Sequence, residues 1–67
     1  MTFKELAEDF LKDNPEGIWV HFVDCWEYPD EYLDEYYMTE FAGCLDKEVE
    51  DFFINDCDVM EVFLKRT

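Results

Sequence analysis

The chain contains no serine and a single histidine, His21. A Ser-His-Asp arrangement is therefore excluded. Cys25 lies four residues beyond His21 on what reads as a strand, about 13 Å away at strand rise. That is far outside the hydrogen-bond reach that a nucleophile and its base require. The three cysteines, Cys25, Cys44 and Cys57, have no C-x-x-C spacing, so neither a paired zinc-ligand motif nor a dithiol redox motif is present. They read as structural thiols, kept reduced in a cytoplasmic setting. Around Asn55, Asp56, Asp58 and Glu61 there is no glycine for the sharp turn of a calcium loop and no distant bidentate glutamate. No cofactor motif occurs. No apolar run reaches membrane-spanning length. The N-terminal MTFKELAEDF lacks the basic-then-apolar order of a signal peptide.

Basic residues are also scarce. Five Lys and Arg stand against nineteen Asp and Glu, giving a net charge of −14. From Asp13 to Asp46 there are ten acids and not one base. Five cations cannot neutralise a phosphate track, so direct nucleic-acid binding fails on sign even though rings are available for stacking. Carboxylate pairs for glycoside chemistry are abundant by chance, but a chain this short offers little depth for a cleft that raises one pKa. No enzyme, metal site or cofactor is expected.

What the chain does have is ring surface. Aromatics make up 19% of it and apolar residues 49%, which is the composition of a folded protein rather than a disordered acidic tail. Its 67 residues form a single domain, 1–67. Thr2 and Glu5 have capping-box spacing. Phe3, Leu6, Ala7, Phe10 and Leu11 then form one apolar stripe, ended by Asn14-Pro15 and Gly17. Ile18 to Val23 reads as a strand, central because both faces are mostly apolar. Pro29 to Ala42 reads as a second helix, with Pro29 at its first position, acids in its first turn and Gly43 past its end. A strand over Tyr36 to Phe41 competes. Glu48–Ile54 and Val59–Lys65 flank the turn former Asn55-Asp56-Cys57-Asp58 and read as a hairpin. A helix over Asp46 to Phe53 is the rival. The order is then α-β-α-β-β, an α+β fold with a three-stranded, mainly antiparallel sheet and two helices on one face.

The segment Cys25 to Phe41 concentrates the unusual features. It holds six acids, six aromatics and no base. On a helix, Asp30–Asp34 and Glu31–Glu35 would be like-charge neighbours one turn apart, each costing a few tenths of a kcal/mol. The first helix is different: its Glu8 and Lys12 stand in the favourable order. Acids set among tyrosines suit a basic groove, in which carboxylates meet Lys and Arg while rings pack on their stems. Carboxylates one helical turn apart, about 5–6 Å, would approach the spacing of strand phosphates. Glu27, Asp30, Glu31, Asp34 and Glu35, with Tyr28 and Tyr32 as aromatic anchors, are the expected partner-binding residues. Glu48, Glu50 and Asp51 would continue the row.

In size, charge and aromatic content the chain resembles the small acidic inhibitors encoded by phages and mobile elements: DNA-mimic anti-restriction proteins, anti-CRISPR proteins and inhibitors of repair glycosylases. The resemblance implies a non-enzymatic inhibitor in the host cytoplasm, bound to a CRISPR effector, restriction enzyme or nuclease. An immunity or antitoxin protein that plugs a basic nuclease active site is the second expectation. A small acidic regulatory domain, whose charge serves only solubility, is the third. Monomer and homodimer are both open, and an exposed apolar sheet face would indicate a dimer.

Overall fold

The computed structural model describes residues 1–66. Helix α1 spans Phe3–Asp13. The Thr2 hydroxyl accepts the Glu5 amide at 3.2 Å, and the Glu5 carboxylate accepts the Thr2 amide at 2.8 Å. These reciprocal bonds satisfy two orphan donors of the first turn. At the other end the Asn14 side chain donates to the Phe10 carbonyl at 3.1 Å. Phe3, Leu6 and Ala7 are buried, the inward stripe that the 3.6-residue period requires.

Four strands follow: β1 (Ile18–Phe22), β2 (Glu31–Leu33), β3 (Val49–Ile54) and β4 (Val59–Leu64), with a one-turn helix α2 (Tyr37–Glu40) between β2 and β3. The sheet order is β2-β1-β4-β3. β1 pairs antiparallel with β2 and parallel with β4, and β3 pairs antiparallel with β4. The α+β class, the central position of β1 and the hairpin follow the sequence expectation. The hairpin turn is tied by Asn55, whose Oδ1 accepts the amides of Cys57 at 2.8 Å and Val59 at 3.2 Å.

Two expectations are corrected. The sheet has four strands and is mixed, not three-stranded and mainly antiparallel. The long helix Pro29–Ala42 does not form; its place is taken by β2, a turn and α2. Pairing explains this better than propensity does. Without Glu31–Leu33, one edge of β1 would lack main-chain partners. The strand closes that edge, buries Leu33 completely, and brings Tyr32 edge-on to Trp19 with ring centroids 5.4 Å apart. Asp34 then turns the chain. Its Oδ1 accepts the Tyr36 amide at 2.9 Å, and its carbonyl accepts the Tyr37 amide at 3.0 Å, the aspartate turn that competes with helix continuation.

The core lies on one side of the sheet. Ile18, Val20, Phe22, Leu33, Met60 and Val62 point toward α1 and toward Phe41 and Cys44 after α2. No polar or charged residue is buried among the described residues. The other side is open: β1 alternates buried Ile18, Val20 and Phe22 with Trp19 and His21. β1 is central, as its apolar content led one to expect, but only one of its two faces is buried.

Gly17 permits the close approach of β2. It sits at φ 80°, and a Cβ there would lie 2.0 Å from the Leu33 carbonyl oxygen. Urea unfolding should find Gly17→Ala destabilised by at least about 1–2 kcal/mol from the left-handed backbone alone. Leu33→Ala should cost about 2–5 kcal/mol, and exposed Glu35→Ala should stay within about 0.5 kcal/mol. Silence at both Gly17 and Leu33 would contradict the docking of β2.

Candidate functional site

The seven expected partner-binding residues do not form one face. Glu27 and Tyr28 lie in the loop before β2 and line a groove of about 350 Å³ together with Lys47, Lys65 and Arg66. Three of the five basic side chains, distant in sequence, therefore surround the first of the expected acids. Arg66 Nη2 lies 3.9 Å from Asp24 Oδ2. Tyr28 serves the fold: its ring packs 5.6 Å from Phe22 and its hydroxyl donates to the Gly43 carbonyl at 3.3 Å.

Asp30 stands at the open face, with Oδ1 2.7 Å from His21 Nδ1. Tyr32 is on that face too, held by its hydroxyl, which donates to the Glu16 carbonyl at 2.8 Å. Glu31 is directly opposite Val20 in the ladder and so turns toward the helix-covered side. There it joins Asp34 and Glu40. Desolvation pushes the Glu40 carboxyl above its ordinary value, and the neighbouring charges of Asp34 and Glu31 push it the same way. Asp34 and Glu35 border a second groove, of about 330 Å³, with Leu11, Pro15 and Tyr36. Nearby, the Tyr37 hydroxyl donates to Glu8 Oε2 at 2.6 Å, and that bond raises the phenol's pKa. The helical carboxylate row is therefore replaced by acids distributed around the β2 edge.

Charge pairing is sparse. Among the described residues the ion pairs are Glu48 with the N-terminal amine, Asp30 with His21, and Asp24 with Arg66. Two of the nineteen acids thus face an ammonium or guanidinium group, Asp30 faces a histidine that is cationic only when protonated, and none of the acids is buried. No three His, Cys, Asp or Glu side chains among the described residues converge to hold a metal ion. Cys44 is buried, its thiol pKa raised to about 11 chiefly by desolvation, and it donates to the Phe41 carbonyl at 3.5 Å.

Sequence reasoning missed Trp26. It is 99% exposed in the loop between β1 and β2, close in sequence to Asp24, whose φ is 54°. Its polar neighbours Glu27 and Asp30 were the available signal. It also did not place the rings of Trp19, Phe53 and Phe63 on one open face, although the alternation along β4 pointed to Phe63. No family model, curated protein or solved structure matches the chain.

The two shifted carboxyls give opposite pH signatures. Glu40 has a raised folded-state pKa, so the folded protein binds its proton more tightly than the unfolded chain. Acidification toward 4.5 therefore favours folding through this group. Glu5 has a lowered pKa, first through the Thr2 amide bond. Its contribution is present above 4.5 and is lost as pH falls below that value. Against variants lacking each group, the Glu40 contribution to the thermal midpoint should rise as pH is lowered toward 4.5, and the Glu5 contribution should fall as pH is lowered below it. Glu40→Gln should flatten the rise, and Glu5→Ala should flatten the fall.

Proposed function

We propose that this protein is a non-enzymatic inhibitor that docks on the basic nucleic-acid-binding surface of a partner protein. The observation that carries this reading is the unpaired state of the acids. Among the described residues, most of the nineteen carboxylates have no cation within ion-pair distance, on a molecule measuring 31 × 25 × 19 Å. Such a field repels nucleic acid and anionic membrane and steers in a surface dense with Lys and Arg. Most partner cations then meet a carboxylate that gives up no internal salt bridge. Mimicry here rests on charge density around the β2 edge, because extended backbone spreads Glu31 and Asp34 over about 10 Å of chain. Exposed rings supply apolar contact beside the charge, with Trp26 and Tyr36 the most accessible. The resemblance to DNA-mimic inhibitors points to a CRISPR or restriction effector as the target.

Trp26 favours a second reading, an immunity or antitoxin protein on a nuclease. A fully exposed indole on a loop between two strands suits insertion into a cleft. The two differ in what is lost: nucleic-acid binding in the first, cleavage with binding retained in the second.

Competition tests the proposal. Effectors loaded with labelled duplex or guide RNA are titrated with this protein at near-physiological salt. Displacement should weaken steeply as salt rises. Glu31→Lys with Glu35→Lys should weaken it through loss of long-range attraction while sparing or raising stability, since both changes lower the net negative charge. Trp26→Ala should weaken it about tenfold or more and leave stability within about 0.5 kcal/mol. Loss of stability with binding intact would contradict the proposal.

A further inference from the structure

We infer that the open face of the sheet is the docking surface, and that its occupant is a basic surface of another protein rather than a second copy of this chain. The inference rests on the function proposed above and locates it. Ladder partners share a face, so the register places Trp19 beside Tyr32 and Val59, Phe53 beside Glu61, and Phe63 beside Asp51. Trp19 is 52% exposed and Phe53 46% exposed. A solvated face would alternate to polar residues throughout; this one sets four rings, Trp19, Tyr32, Phe53 and Phe63, among His21, Asp51 and Glu61.

The rings are already ordered. Trp19 and Tyr32 meet edge-on at 5.4 Å, and Phe53 stacks on Phe63 at 6.0 Å. The Tyr32 hydroxyl is held by the Glu16 carbonyl and His21 by Asp30. Ordered rings that lose little rotamer freedom on contact are suited to binding.

Charge selects the occupant. None of the four strands contains a Lys or Arg, whereas Asp51 and Glu61 occupy face positions and Asp30 stands at the rim. A second copy would set acids against acids and a net −14 against a net −14. A partner carrying apolar side chains between Lys and Arg would cover the rings and meet Asp51, Glu61 and Asp30. Aromatic packing gives such a contact its position, and the acids give it its preference for cations.

Trp26→Phe leaves Trp19 as the sole indole and thus as a reporter of this face. This variant is titrated with a cationic peptide of alternating Arg and Val, and separately with oligo-Arg of equal charge. The alternating peptide should bind at least tenfold more tightly and shift Trp19 emission to the blue. Adding Phe53→Ser and Phe63→Ser, with circular dichroism and thermal midpoint checked against the parent, should remove that advantage and leave oligo-Arg binding unchanged. Equal binding of the two peptides, with no effect of the serine changes, would overturn the docking face and leave the acidic inhibitor proposal standing. Binding of neither peptide, by this variant or by the protein with Trp26 in place, would overturn both. Sedimentation showing a micromolar dimer in which Trp19 is shielded from acrylamide would overturn the choice of occupant. If the serine variants do not fold, Trp19 emission and the oligo-Arg comparison in the folded parent decide the same question.

Discussion

Phe3, Phe22 and Phe41 meet with ring centroids 5.3, 4.9 and 6.1 Å apart, and each belongs to a different part of the chain. Phe3 opens α1, Phe22 ends β1, and Phe41 follows α2. Their contact fixes the helix over the sheet and pulls the 41–47 turns against the core. The backbone follows: the Phe3 amide donates to the Lys47 carbonyl at 2.9 Å, and the Val49 amide donates to the Met1 carbonyl at 2.7 Å. The chain's first residues thus lie along the start of β3. A small domain has few such contacts, so a few rings carry a large share of its apolar burial.

Local signals were legible and non-local ones were not. The Thr2–Glu5 box, the stripe from Phe3 to Leu11 and the Asn55–Asp58 turn each act within a few residues, and each formed as its pattern dictates. β2 failed as a reading because three residues are too few to display a period of two. Pro29, Asp30 and Glu31 also imitate a helix start, and Leu33, Tyr37 and Phe41 fit helical spacing. What decides that segment is the vacant edge of β1, an interaction with residues eleven to fifteen positions away. The parallel pairing of β1 with β4 is equally non-local. The composition indicated an acidic surface, and the acids are indeed unburied. It could not show that Tyr28 packs inward on Phe22, or that Lys47, Lys65 and Arg66 gather beside Glu27.

Acidity and one-sidedness are linked. Nineteen carboxylates must remain in water, because burying an unpaired charge is far more costly than the apolar contact it would permit. The chain has apolar residues enough to cover most of one face of the sheet: α1 with the 41–45 segment covers its centre, while Phe52 and Ile54 of β3 stay exposed at its edge. The second face retains rings that the molecule itself does not cover. Self-repulsion opposes a symmetric solution to that exposure. In this account the same charge keeps the free protein dispersed and selects a basic partner.

Carboxylate footprinting tests this account most directly: carbodiimide-driven amine labelling of the protein, free and bound to an effector from which it displaces nucleic acid. Asp30, Asp51 and Glu61 on the sheet side should become protected, while Asp9 and Asp13 on α1 remain labelled. Protection of α1 with the sheet side still labelled, or unchanged labelling throughout, would contradict it.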